Sequence, residues 1–283
     1  MKEIDLILDG IRVISLAVNL PGPLAAARLL ELGASVTKVE PPSGDPLAVG
    51  APGWYAELVA RQIVLVLDAK DSGDRGRLDD LLAEADLLIT SMRPSALTRL
   101  GLDRPQDISP RLSLIEIVGR DGEAAETPGH DLNYQAIHGT LTPPALPTVP
   151  LADMLGAERA VSASLAALFE RSSTGLGGTR RVVLEAAAEH AGTAVKQGLM
   201  GEGTVLGGAF PGYGIYASSD GHVALGALEP HFWARTLEAF GLDGTHESVR
   251  TVFATKTTAE LEAIAAHADI PLNGVCTPEH IGK

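Results

Sequence analysis

Apolar residues in the first part of the chain come in short β-branched runs, separated by polar breaks marked with glycine or proline. Residues 11–18 (IRVISLAV), 35–40 (SVTKVE), 63–67 (IVLVL), 86–90 (DLLIT) and 112–118 (LSLIEIV) are too short for typical helices. Most carry apolar side chains at consecutive positions, which predicts strands buried on both faces. Helical composition fills the gaps. It is found at 24–32, where Pro23 is tolerated in the first turn and Gly33 is a stop, at 78–85, and at 94–100 after Arg93. Strands alternating with helices imply a parallel sheet covered on both sides, a Rossmann-like α/β domain.

Residues 119–150 are rich in Gly, Pro and Thr and read as loop, with one short helix at 131–137. Residues 157–172 place Val161, Leu165, Leu168 and Phe169 at helical spacing. Gly175 to Gly178 breaks that helix, and a strand at 181–184 and a helix at 185–199 follow. The texture changes after Gly201. Residues 213–216 and 222–225, joined by Ser218-Ser219-Asp220-Gly221, have a hairpin pattern. Further helices are predicted at 230–240 and 258–268. The expected organisation is a large Rossmann-like domain over 1–200 and a smaller α+β domain over 201–283.

Composition narrows the function classes. The 283 residues are 45% hydrophobic and 20% charged, enough for a sizeable core, but only 4% aromatic. Leu, Val, Ile and Ala must therefore build that core. A net charge of -14 opposes nucleic acid and anionic membranes, so neither is an expected partner. It also opposes an anionic ligand unless local cations and main-chain N–H groups overcome it. Cys276 is the only cysteine, which excludes an intramolecular disulfide and a cysteine metal cluster. Residues 1–8 lack the apolar run of a leader, and no stretch approaches the ~20 residues of a membrane span. A cytoplasmic location is the expectation.

Familiar nucleotide and hydrolase signatures are absent. The first strand–helix turn, Asn19-Leu20-Pro21-Gly22-Pro23-Leu24, is not G-x-G-x-x-G, and its prolines remove donors that a pyrophosphate would use. Glu40 ends the second strand and reads as a solvated strand end. G-x-x-x-x-G-K-[ST] and G-x-S-x-G do not occur, and the eight histidines show no metal-ligand spacing. No protein-bound metal is expected.

Three segments carry candidate chemistry: GHDLNYQA with His130, VPLADMLGA with Asp153, and VALGALEPHFW with Glu229. Taken singly, each has an ordinary explanation. A loop histidine is usually non-catalytic, an aspartate before a helix is more often an N-cap, and Glu229 before Pro230 suits a helix start. Taken in order with longer stretches, they carry a resemblance. GIRVISLAVNLPGPLAAARLLELGASVTKVEPPSGDP, ADLLITSMRPSALTRLGLD and LAALFERSSTGLGGTRRVVLEAA resemble, in sequence order, segments of the family III CoA-transferase (CaiB/BaiF) group. That group includes the α-methylacyl-CoA racemases, and the likeness runs from about Leu8 to Cys276.

The resemblance implies that Asp153 stands at the family's catalytic aspartate. It implies that His130 and Glu229 stand where racemases keep a histidine and a partnering glutamate. Transferases of the group usually lack the histidine, so the trio favours a racemase or epimerase acting at the α-carbon of a 2-substituted acyl-CoA. Two alternatives stay open. One is a CoA-transferase with Asp153 as nucleophile. The other is a repurposed member acting in a biosynthetic pathway. No covalently bound cofactor is implied. The substrate would be a coenzyme A thioester, free or as the phosphopantetheine arm of a carrier protein. Lys38 and Arg93 match basic positions of the family and are expected to meet phosphates. Met154 and Leu155, beside Asp153, are the expected main-chain donors to an enolate oxygen.

The chemistry suits these residue types. Moving an α-proton needs a base on one face and an acid on the other, and His and Asp can be tuned towards neutrality for both roles. A glutamate beside His130 would fix its tautomer.

The chain also departs from the family's pattern. A G-[WYF]-G-x-x-G-P loop is reduced to Gly119-Arg120-Asp121-Gly122-Glu123. The glycine run after the aspartate is replaced by Met154-Leu155-Gly156-Ala157-Glu158. The first change bears on how coenzyme A is held, the second on the acyl pocket. The resemblance implies a homodimer. The sequence stops at Lys283, short of the usual tail, which leaves open whether that dimer is interlocked as in the group.

Overall fold

A computed structural model describes residues 6–277. Residues 1–5, part of the segment read as lacking a leader, and 278–283, the end of the expected second domain, lie outside the described residues. Contacts divide the chain into two compact units, Met1–Gly192 and Thr193–Lys283.

The first unit is built on six parallel strands. In chain order they are β1 (Arg12–Ser15), β2 (Ser35–Glu40), β3 (Ile63–Val66), β4 (Leu87–Thr90), β5 (Ser113–Val118) and β6 (Thr179–Val183). Their order across the sheet is β3-β2-β1-β4-β5-β6. The direction of strand addition reverses between β1 and β4, and doubly wound folds bind ligands at that switch point, outside the carboxyl ends of the strands.

Among the described residues, eight α-helices accompany the sheet. They are α1 (Pro21–Glu31), α2 (Pro46–Gly50), α3 (Pro52–Val59), α4 (Ser72–Ala83), α5 (Pro94–Arg99), α6 (Asp131–Ile137), α7 (Leu151–Thr174) and α8 (Leu184–Lys196). Alternation along the strands sorts side chains into two cores. Val13, Leu87, Ile89 and Ile115 face one cluster, with Ala25 and Leu29 of α1 and Ala157 and Ala160 of α7. Ile14, Leu88 and Leu114 face the other, with Leu78 and Leu82 of α4 and Leu97 of α5. The alanine content is what lets α1 and α7 lie close to the sheet. Gly22 takes this furthest: a Cβ there would lie 2.1 Å from Ala17 Cβ, so a side chain would push α1 off the end of β1.

The sheet, its order of elements and the Rossmann-like class agree with the pattern of apolar runs. The edge strand does not. β3 was expected to be buried, but Ile63 and Val66 are largely exposed. An edge strand has a neighbour on one side only, and composition alone does not distinguish it from a central one. The helices α2 and α3, started by Pro46 and Pro52, fall in a stretch that proline and glycine make loop-like. The long helix α7 begins at Leu151, six residues before the expected 157.

The second unit carries an antiparallel sheet of β7 (Tyr213–Ala217), β8 (His222–Gly226) and β9 (Leu272–Gly274) in that order. It also carries α9 (Pro230–Phe240), α10 (His246–Phe253) and α11 (Thr258–Ala268). Tyr216, Val223, Leu225 and Leu272 point to one face and pack with Phe240, Val249, Phe253 and Leu261. Asp220 in the hairpin turn accepts from the Thr258 N–H at 2.8 Å and so ties the turn to the start of α11. Among the described residues no helix is long and apolar enough to cross a membrane.

Candidate active site

The carboxyl ends of β1, β4 and β5 open onto a cavity of about 230 Å³ in the first unit. Its walls include Val18, Asn19, Arg93, His130, Tyr134 and Asp153. Two of the three residues expected to be catalytic, His130 and Asp153, therefore line one space. So does Arg93. Across the switch point the ends of β1 and β4 are joined by Ser91, whose Oγ accepts from the Val18 N–H at 3.1 Å.

His130 is the N-cap residue of α6. Its backbone is extended, and its N–H donates to Asn133 Oδ1 at 3.0 Å. The imidazole itself is exposed to the cavity side. Four residues on, on the same helix face, comes Tyr134. Its side chain is buried, with the Arg120 guanidinium 5.6 Å from the ring centre. Gly119 and Gly129 make room for it: a Cβ on either would approach the ring or hydroxyl within 3 Å. Burial pushes the Tyr134 phenol up, while the Arg120 charge opposes that shift.

Asp153 lies in the first turn of α7 and is half-buried. Its pKa is pushed up to about 6, first by burial and then by the neighbouring charge of Asp131. A carboxyl tuned in this way exchanges protons near neutral pH, as acid and base catalysis require.

The main-chain donors differ from expectation. Met154 and Leu155 are not free, because α7 starts early. The Met154 N–H donates to Pro150 O at 2.9 Å, and Leu155 is one residue further into the regular helix. Of the N–H groups that this terminus leaves without an intrahelical acceptor, Asp131 takes those of Ala152 and Asp153. Its Oδ1 accepts from Ala152 N at 2.6 Å and from Asp153 N at 3.2 Å. Its Oδ2 accepts from Gln135 Nε2 at 2.6 Å.

Lys38 also differs from expectation. Its side chain is 1% exposed. The ammonium donates to Asp45 Oδ2 at 2.7 Å and Ala17 O at 3.0 Å, and lies 3.7 Å from Glu40 Oε1. A buried cation needs such partners, and releasing it to a phosphate would strand two carboxylates. Glu40, read as a solvated strand end, is buried as well and accepts from Tyr55 Oη at 2.5 Å. This cluster acts structurally on the cavity. Asp45 Oδ1 accepts from the Asn19 N–H at 2.9 Å, and Asn19 holds a left-handed backbone, φ 68°, on the cavity wall.

A second, largely apolar cavity of about 300 Å³ adjoins the first. It shares Val18, Ser91 and Met92 with it and is lined further by Leu16, Val39, Leu67 and Lys70. Lys70 is exposed and stands just past β3. The criterion that singled out Lys38 and Arg93, a cation following a strand, would have found it in VLVLDAK. Tyr134 was legible too, from its four-residue spacing to His130. Glu229 belongs to the second unit, where it is the exposed N-cap residue of α9.

The sequence profile of CoA-transferase family III matches residues 8–283. The α-methylacyl-CoA racemase of Mus musculus is 30% identical over 97% of this chain and 79% of its own length. The acetyl-CoA:oxalate CoA-transferase of Acetobacter aceti is 32% identical over 60% of this chain and 48% of its own length. Among solved structures, a CAIB/BAIF family protein from Brucella suis aligns with a TM-score of 0.80 at 23% identity, over 98% of this chain and 86% of that one.

Proposed function

The chain belongs to CoA-transferase family III, a family of enzymes whose relatives here include racemases and CoA-transferases, and we propose that it racemises or epimerises 2-substituted acyl-CoA thioesters. The observation that carries this reading is the convergence of His130 and Asp153 on one cavity. A transferase that forms an acyl anhydride needs the carboxylate alone.

The mechanism follows from the two groups. Asp153, ionised, takes the α-proton from one face of the substrate, and the electron pair delocalises into the thioester carbonyl as an enolate. His130, protonated, returns a proton to the same carbon from the opposite face. The inverted product leaves Asp153 protonated and His130 neutral, which is the correct starting state for the reverse reaction. A carboxyl with a pKa of about 6 takes and returns a proton readily near neutral pH, as this exchange requires. Because Met154 and Leu155 are committed within α7, the enolate oxygen draws its donor from elsewhere on the wall.

Coenzyme A enters this reading through the adjoining cavity. Its apolar walls suit a flat heteroaromatic ring, and Arg93 and Lys70 border the two cavities with no ion-pair partner among the described residues. Arg93→Ala and Lys70→Ala are each expected to raise KM for an acyl-CoA roughly tenfold, the loss of one charge-assisted contact, with kcat little changed. Steady-state kinetics at several salt concentrations check this.

The test of the activity itself is α-deuterium incorporation from heavy water into a panel of 2-methylacyl-CoA thioesters, read by mass spectrometry. One deuteron per molecule, without any co-substrate, is the expected result. Turnover that instead requires a free carboxylic acid, with an acyl or coenzyme A adduct trapped on Asp153, would establish the transferase and end the racemase reading.

A further inference from the structure

Asp131 is two-faced in its contacts. One oxygen closes the amino end of α7 through Ala152 and Asp153, and the other is held by Gln135 of its own helix. Gln135 is itself fixed, since Nε2 donates to Val149 O at 3.1 Å and Oε1 accepts from Thr140 Oγ1 at 3.2 Å. All the groups holding Asp131 are neutral donors, and no cation pairs with it among the described residues. Its carboxylate is thus held beside Asp153 by neutral donors alone, with no cation against it among the described residues.

We infer that Asp131 is a positioning residue for Asp153: by occupying the α7 terminus it denies Asp153 the N–H groups that would stabilise a carboxylate, and it sets a second fixed charge behind it, so that Asp153 works as an acid as well as a base. A free helix terminus favours ionised carboxylates and so lowers their pKa, whereas a like charge nearby does the reverse. Asp131 replaces the first influence with the second. Its charge is the second cause of the upward shift at Asp153, after burial.

The other titratable groups around the cavity are His130 and Tyr134 from the α6 segment and Arg93 ahead of α5. Behind Tyr134 stand Arg120 and Glu185, which pair with each other at 3.0 Å. None of these bonds Asp153. The role given to Asp131 rests on the reading of Asp153 as an acid–base group, but its first test does not need that reading.

Asp131→Asn keeps the shape and one acceptor oxygen while removing the charge. In protein carrying ¹³C-labelled aspartate, with the Asp153 resonance assigned from Asp153→Asn, the Asp153 midpoint is expected to fall by roughly one pH unit. Asp131→Glu, which restores a charge at a displaced position, is expected to recover part of the shift. An unchanged midpoint, or one that rises, would overturn the inference. If the asparagine variant does not fold, Asp131→Ser retains a capping oxygen and serves in its place. The second readout is the pH profile of α-proton exchange, whose acid limb moves down with the midpoint while KM stays constant. Should no exchange be found in any variant while the midpoint still moves, the racemase reading fails and the role of Asp131 stands.

Discussion

Asp153→Asn is expected to lose racemisation by roughly 10³-fold and yet to be more stable than the parent protein at pH 7.5. The two effects share one cause. Asp153 titrates at about 6 in the folded chain against an ordinary 3.8, so the folded state binds its proton more tightly than the unfolded state does. Between those two values stability falls as pH rises, and above about 6 the full cost of holding a half-buried carboxylate next to Asp131 is present. Asparagine carries no charge and escapes it. The gain is about 2 kcal/mol at neutral pH after discounting for solvent screening, and it shrinks towards nothing as pH falls below 3.8, where Asp153 becomes protonated in both states. Urea unfolding midpoints of both proteins at pH 3.5 and pH 7.5 check the prediction. A variant less stable than the parent at pH 7.5 would mean that Asp153 is held by favourable contacts and is not strained for function. The pattern fits a general tendency, in which sites built for chemistry carry electrostatic costs that the rest of the fold offsets.

The same residue marks how far the sequence could be read. Asp153, His130 and Arg93 were legible because a histidine, an aspartate and an arginine recur in a fixed order within segments of the family's pattern, and all three line the cavity. Asp131 was not legible. Its effect reaches across 21 positions to the amino end of α7, and α7 starts earlier than the periodicity indicated because Leu151 and Ala152 precede the clear apolar repeat. With the helix start misplaced, Met154 and Leu155 looked like free donors. Lys38 failed for a related reason. It lies near the carboxyl end of β2, where ligands of such sheets bind, but whether a lysine faces water depends on what the following loop brings back, and Pro41 to Asp45 return a carboxylate to it. The central strands were the easiest elements, since three consecutive buried apolar residues leave few alternatives. The edge strand β3 has the same composition and a different environment. Lys70, just past β3, is exposed where Lys38 is buried, and strand composition does not distinguish the two.

His130→Ala separates a two-base mechanism from a single-base one by stereochemistry as well as by rate. The substitution is mild structurally: the imidazole is exposed, and the α6 start is held by the His130 main-chain N–H on Asn133, which alanine keeps. With the imidazole gone, Asp153 still faces one side of the α-carbon. It continues to exchange the proton of substrates whose hydrogen points towards it, while the opposite configuration has no base. Racemisation is expected to fall by roughly 10³-fold. Deuterium exchange persists for one enantiomer and is lost for the other, and Asp153→Asn shows the reverse preference. Measured on separated enantiomers in heavy water, the two variants therefore form mirror images of each other. Equal loss of exchange from both enantiomers in both variants would leave one group doing all the proton transfer. Full activity in His130→Ala, together with a requirement for a carboxylic acid acceptor, would make Asp153 a nucleophile and the imidazole a bystander. The mirrored preference would follow from the proposed placement of one group on each face of a planar enolate, His130 from the start of α6 and Asp153 from the first turn of α7.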